Sequence, residues 1–277
     1  MCDAAAALAH LGGSHCNRNP SDSLSLSPMP SLSVIVITRD EAAHIGDCLR
    51  SVRDLADEIV VVDSGSRDDT VRICRELGAR VIETDWPGFG PQKNRALDAA
   101  TGDWVFSIDA DERVTPELAA ELRAAMADGR ADAYAVPRLS QFCGHWVHHS
   151  GWRPDYIVRL FRRGSARFSD NLVHESVEPR GPVARLKTSL LHYSYTSRAQ
   201  VEAKSRQYAE AGARELRRRG KQVGPLSPAL HGAWAFLRTL LVKRGILDGR
   251  TGFAIARMNA AVSYEKYRRA RALGASA

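Results

Sequence analysis

The chain has no run of the roughly 18 consecutive apolar residues that a membrane-spanning helix requires, and its start lacks the basic region followed by an apolar stretch that marks a secretory signal. Neither a span nor secretion is expected. Its five cysteines (Cys2, Cys16, Cys48, Cys74 and Cys143) show no paired spacing, which argues against a disulfide framework and a thiolate metal site and fits a reducing, cytosolic compartment. No Gly-rich basic loop follows the first apolar run; Thr38-Arg39-Asp40-Glu41-Ala42 stands there instead, which weighs against a nucleotidyltransferase. An interleaved aromatic and basic sheet motif of the RNA-binding kind is also missing.

What remains is enough for an enzyme-sized domain: 277 residues, 44% hydrophobic, can bury one substantial core. The net charge of +7 is unevenly spread, with 17 Lys and Arg against 5 Asp and Glu from Arg198 onward, and 22 against 27 before it. Such a basic segment suits an anionic surface, either acidic lipid or nucleic acid.

Residues 1–30, rich in Ala, Ser and Pro, read as a disordered leader, and Met29 offers an alternative start just before the first ordered segment. Residues 31–197 read as a catalytic domain and residues 198–277 as a basic helical tail. Within the first, LSVIVIT (Leu32 to Thr38) is a β-branched run of the length of a buried parallel strand, and EAAHIGDCLRSV carries helical spacing at Ile45, Leu49 and Val52. EIVVVDSG, ARVIET and DWVFSIDADE (Asp103 to Glu112) predict three more strands, with DDTVRICRELG and QKNRALDAA as the helices between them, the latter opened by Pro91. This alternation predicts an α/β fold with a mostly parallel central sheet. After the helix TPELAAELRAAM, the segments AYAVPRL, YIVRLFRR, ARFSD and SLLHYSY predict added strands, and a helical C-terminal extension follows, broken near Pro225 and at KRGILDGRTG.

Ligands of parallel α/β sheets bind at the carboxyl ends of strands. Three such ends carry polar residues: Thr38 to Glu41, Asp63 to Ser66, and Asp109 to Asp111. Two carboxylates one residue apart, Asp109 and Asp111, offer hard oxygen ligands to Mg²⁺ or Mn²⁺, which can bridge a diphosphate. Asp68 or Asp69 is expected to cap the following helix, whereas Asp63 at its strand end can accept from a nucleobase or ribose.

Taken together, VIVITRDEA, VVVDSGSRDDT, QKNRAL and FSIDADE resemble glycosyltransferase family 2, the inverting enzymes with a GT-A nucleotide-binding fold. The resemblance implies that Thr38 and Glu41 line the nucleotide pocket, that Asp63 contacts the uracil, and that Lys93 faces the diphosphate. It places Asp109 near ribose and metal and Asp111 on the metal itself. Downstream, GWRPDYIVRLFRR, LVHESVE, LLHYSY and the basic tail resemble the lipopolysaccharide core β-glucosyltransferases that modify the inner-core heptose. That implies UDP-glucose as donor and a lipid-linked acceptor. Transfer to polyprenyl phosphate or another surface glycan is the alternative within the family, and a basic nucleic-acid-binding protein the alternative outside it.

Inverting transfer needs one general base for the acceptor hydroxyl. The resemblance implies an acidic pair after the metal motif, and no clear Glu-Asp pair stands there. Two candidates remain: Asp155, beside Trp152 and Tyr156, and Glu175, whose neighbour His174 can complete the metal shell. Asp155 is preferred slightly. The tract His145 to His149 reads as an acceptor-side loop, and His192 as a structural histidine, with contact to the metal as its alternative. In the tail, HGAWAFLRTLLVKRGIL (His231 to Leu247) is apolar with basic residues at its end, as at a membrane interface, or else a helix packed on the catalytic domain. Peripheral attachment at the inner face of a bacterial cytoplasmic membrane is the expected location.

Overall fold

A computed structural model describes residues 29–169 and 176–275. The first half alternates as expected: β1 (Leu32–Thr38), α1 (Ile45–Val52), β2 (Glu58–Asp63), α2 (Thr70–Glu76), β3 (Arg80–Glu83), α3 (Phe89–Ala99) and β4 (Trp104–Ser107). These four strands are mutually parallel in the order β3-β2-β1-β4. Because successive side chains of a strand point to opposite faces, β1 feeds two cores at once. Val34 and Val36 join Ile45, Leu49 and Val52 of α1 on one face, and Ile35 joins Ala96 and Leu97 of α3 on the other.

The remaining elements are β5 (Glu112–Arg113), α4 (Pro116–Asp128), β6 (Ala133–Phe142), β7 (His145–Trp146), β8 (Tyr156–Arg162), β9 (Ala166–Phe168), β10 (Val177–Pro179), β11 (Val183–Arg185) and β12 (Leu190–Tyr195). Helix α4 starts with Pro116 at its first position under a Thr115 cap, whose side chain accepts from the Leu118 amide, and ends on Gly129 in the left-handed region. The sheet continues β4-β8-β6-β12-β5, with β8 antiparallel to both its neighbours. Strand β6 changes partners midway: Ala133 to Pro137 pair with β8, and Arg138 to Phe142 pair with β12. Pro137 cannot donate to a ladder, which suits the point of exchange.

From Arg198 the chain is helical, through α5 (Arg198–Arg218), α6 (Ser227–Leu237), a π-helical turn (Arg238–Val242), a 3-10 turn (Gly245–Asp248) and α7 (Gly249–Ala275). Helices α5 and α6 both pack on α7. The break expected at KRGILDGRTG is confined to the turn before Gly249. Gly252 lies buried in the first turns of α7, where an added Cβ would collide with the Gly245 carbonyl, so close approach of the turn to the helix requires a glycine there.

Two boundaries depart from expectation. Helix α3 begins at Phe89, with Pro91 inside its first turn, where no N–H is needed. The strand expected over residues 103–112 stops at Ser107, because Asp109 to Glu112 fold into a closed turn: the Glu112 amide donates to the Asp109 carbonyl at 2.9 Å, and the Asp109 amide to Glu112 Oε2 at 3.0 Å. The acidic motif therefore projects from a turn. Most of the expected leader lies outside the described residues.

Candidate active site

The parallel register sets Thr38 beside Asp63, and the Thr38 hydroxyl donates to Asp63 Oδ2 at 2.9 Å. Asp63 is fully buried, and its carboxylate also accepts from the amides of Gly65 and Ser66 and from the Ser66 hydroxyl. Its visible work is to anchor the turn after β2. That turn is laced to the one after β1: the Asp40 amide donates to Ser66 Oγ, the Arg67 amide to Asp40 Oδ1, and the Glu41 amide to Thr70 Oγ1. Of the two expected caps, Asp68 accepts from the Thr70 amide at the start of α2, and Asp69 makes no capping bond.

A cavity of about 550 Å³ opens above these turns and gathers Thr38, Glu41, Lys93, Asp109 and Asp111 on its walls, joined by Arg39, Trp86, Phe89 and His192. Lys93 is buried and faces the site, with Nζ 3.0 Å from Asp109 Oδ1. On the other oxygen of Asp109 lies Arg159 of β8, Nη2 at 2.5 Å, and the same nitrogen is 2.7 Å from the fully buried Glu112. Burial opposes ionisation of Asp109, but Arg159 and Lys93 overcome it and hold its carboxyl far below the usual range. Burial raises Glu112, against the pull of Arg159.

Asp111 has a different partner. Strand β12 runs antiparallel to β5 with His192 opposite Glu112, and the Tyr193 amide donates to the Asp111 carbonyl at 2.9 Å. This pairing carries His192 Nε2 to 3.3 Å from Asp111 Oδ2, while Nδ1 lies 2.9 Å from Ser140 Oγ. Burial works to raise Asp111, and the His192 contact outweighs it, so its pKa is lowered. Glu41 goes the other way: burial first, then the charges of Asp111, Asp68 and Asp109, push it up to about 7 despite Lys204 of α5.

Asp155 sits across His192 in an adjoining cavity of about 520 Å³, lined also by Arg138, Trp152, Tyr195, Tyr208 and Asn259. Both Nη2 (2.7 Å) and Nε (2.9 Å) of Arg138 approach the same oxygen, Oδ2. His192 lines both cavities. Trp152 is held at about 6 Å between ring centroids by Phe142 and Tyr195, so its plane is fixed at the rim. The loop His148 to Ser150 is clamped from the tail: Asp248 accepts from the amides of His148 and His149 and from the Ser150 hydroxyl. His174 and Glu175 lie outside the described residues.

Sequence reasoning passed over three of the residues gathered here. Arg159 could have been flagged as a charge inside the apolar run YIVRLF, and Trp86 and Phe89 as an aromatic pair at the carboxyl side of a strand; they meet edge to face at 4.8 Å, both partly exposed. His192, read as structural with metal contact as the lesser alternative, carried no signal for Asp111 as its partner, because only the β12–β5 pairing delivers it there.

Residues 33–178 match the family model for glycosyl transferase family 2. An uncharacterized glycosyltransferase of Rickettsia felis is 31% identical over 240 residues, 81% of this chain and 84% of its own length. The lipopolysaccharide core biosynthesis glycosyltransferase LpsC of Rhizobium meliloti is 30% identical over 257 residues, 87% of this chain and 94% of its own. A solved structure of glucosyl-3-phosphoglycerate synthase from Mycobacterium tuberculosis overlaps 40% of this chain and 44% of that one at 30% identity, with a TM-score of 0.35. The chain belongs to glycosyl transferase family 2. It is a glycosyltransferase, and its fold is of the GT-A type, as its sequence motifs imply.

Proposed function

We propose that this chain is an inverting hexosyltransferase that moves glucose from UDP-glucose to the inner-core heptose of lipopolysaccharide, a lipid-linked acceptor, at the inner face of a bacterial cytoplasmic membrane. The observation that carries the reading is the position of His192 on the wall shared by two cavities, one holding Asp111 and Lys93, the other Asp155. Donor and acceptor thus have adjacent compartments. The similarity to LpsC over most of both chains supports the acceptor class.

A divalent cation fits the donor side. Asp111 and His192 present one oxygen and one nitrogen 3.3 Å apart, and burial, joined by the charges of Asp111, Asp68 and Asp109, pushes Glu41 upward. No set of three His, Cys, Asp or Glu side chains converges among the described residues. Two protein ligands suit Mg²⁺ or Mn²⁺, which commonly keep further positions for diphosphate oxygens and water. When bound, such an ion neutralises charge on the departing diphosphate.

The chain's own residues do the rest. Trp86 and Phe89 offer ring faces to the base, and Thr38, held by its hydrogen bond to the buried Asp63, lines the same cavity. Lys93 points its ammonium into the same cavity beside Asp109. Asp155, with Arg138 on Oδ2, presents Oδ1 to the acceptor hydroxyl, takes its proton, and the oxygen attacks the anomeric carbon as the bond to the diphosphate breaks. The leaving diphosphate departs with that electron pair, and configuration inverts. Thermal shift with UDP, UDP-glucose, GDP and CDP, with and without Mn²⁺, tests the donor: a Mn²⁺-dependent rise with uridine nucleotides is expected. Stabilisation by another nucleotide alone would reassign it.

A further inference from the structure

Helix α6 and the turns after it carry an apolar face that nothing among the described residues covers. Leu226, Leu230, Trp234, Leu237 and Leu241 follow one another at three- and four-residue spacing, the repeat of a single helical face, and each is between 47% and 69% exposed. The opposite side of α6 packs on α7 through the buried Gly232, whose missing Cβ lets Ala260 and Tyr264 approach. Val242, Ile246 and Leu247 extend the stripe around the turn before α7, all three more than half exposed. An apolar surface of this length, on a chain whose described helices include none able to span a membrane, calls for an occupant.

Charge identifies which. Between Glu215 and Glu265 the sequence holds nine Lys and Arg and one acid, Asp248. That acid is not on the face: its side chain is 4% exposed and spent on the backbone of His148 and His149. Arg238, Lys243, Arg244 and Arg250 are exposed around the stripe, and none forms an ion pair among the described residues. A second copy of the chain seated on this face would press those cations against one another. An anionic bilayer takes the apolar stripe into its acyl boundary and the cations among its headgroups, and Trp234 suits the level between.

We infer that the face running from Leu226 through Leu247 is a docking surface for an anionic lipid bilayer, on which α6 lies in the plane of the interface. The inference deepens the membrane location proposed above, rests on that reading, and names the part of the chain responsible. Its consequence for the site runs through Asp248: the same short turn that carries Ile246 and Leu247 clamps residues 148–150, which lead into Gly151 and Trp152 at the rim of the Asp155 cavity. A docked chain therefore holds its acceptor cavity at a fixed height above the headgroups.

The test is co-sedimentation of the full chain with vesicles of phosphatidylcholine alone and of phosphatidylcholine mixed equally with phosphatidylglycerol. Binding to the anionic vesicles, weakened by salt, is expected. The triple variant Leu230→Ser/Leu237→Ser/Leu241→Ser should lose at least about tenfold of it, and Arg238→Gln/Lys243→Gln/Arg244→Gln roughly fivefold per charge removed. Nucleotide-induced stabilisation should persist in both, because every altered residue is exposed and none lines the donor cavity. No binding of the native chain, binding indifferent to the apolar triple variant, or a dimer in light scattering that this variant splits would overturn the inference. Failure of the donor reading leaves a different trace: vesicle binding intact with no nucleotide stabilisation.

Discussion

Arg138 and Asp155 form a two-nitrogen contact on a single carboxylate oxygen, at 2.7 and 2.9 Å, and the same guanidinium lies 3.7 Å from Glu112. Glu112 in turn meets Arg159, Arg159 meets Asp109, and Asp109 meets Lys93. Charges alternate in sign along the whole path. The residues proposed to accept a proton and to face the diphosphate, Asp155 and Lys93, are thus ends of one ionic chain threaded through β8, β6 and the turn before β5.

The chain makes a strong demand on its middle member. Removing the Arg159 guanidinium leaves Glu112 and Asp109 facing each other with no cation between them, and breaking a buried pair of this kind costs about 3–5 kcal/mol. Arg159→Met should therefore lower the melting temperature by on the order of 10 °C for a chain of this size. Arg159→Lys should recover part of it, one ammonium being unable to span both carboxylates as the fork does. Differential scanning calorimetry of the three proteins decides; an Arg159→Met chain melting with the native one would break the ionic chain as a structural unit.

Glu41 supplies a pH signature. Folded, its carboxyl deprotonates near 7; unfolded, near the ordinary 4.5. The folded state thus binds more protons between those values, and stability falls as pH rises through that window. Glu41→Gln carries no charge and escapes the fall: it should match the native chain below pH 4.5, lead it slightly at pH 5 and melt a few degrees higher above pH 7. A divalent cation near Asp111 should cancel the difference by favouring the carboxylate. Melting curves from pH 5 to 8 with and without Mn²⁺ check the sign; a variant less stable than the native chain at pH 8 would contradict it.

How much of this was legible beforehand follows from what each signal depends on. Buried parallel strands announce themselves through β-branched runs, so β1, β2 and the acidic ends Thr38 to Glu41 and Asp109 to Asp111 could be placed from residues alone. Local chemistry also placed Pro116 in the first turn of α4. Pairing between distant strands leaves no local trace: nothing in LLHYSY says that His192 will land on Asp111, because that depends on β12 returning beside β5, far away in sequence. Asp63 shows the converse limit. Its strand-end position was plain, but a carboxylate free to meet a base and one already filled by Thr38, Gly65 and Ser66 have the same sequence.

Trp86 and Phe89 make a prediction about the donor. An aromatic face stacked on a base contributes about 1–3 kcal/mol, so Trp86→Ala should raise the donor KM by roughly tenfold or more while leaving kcat near native. Both side chains are partly exposed and fill no core, so stability should hold. Steady-state kinetics over UDP-glucose concentration read the split; a loss confined to kcat would remove these rings from the base.

The last prediction separates the two sides of His192. Asp111→Asn takes away the oxygen 3.3 Å from His192 Nε2 and should abolish both transfer and the Mn²⁺-dependent stabilisation by UDP, with the fold intact. Asp155→Asn keeps size and position but gives up the proton acceptor, so kcat should drop on the order of 10² to 10⁴ while that stabilisation stays native. The asymmetry arises because Asp155 lines only the acceptor-side cavity and Asp111 only the donor side. Glu175→Gln is the control. If it loses as much as Asp155→Asn is expected to, and Asp155→Asn keeps most of its activity, the base is Glu175, and Asp155 serves only to hold Arg138 against Glu112 at the end of the ionic chain.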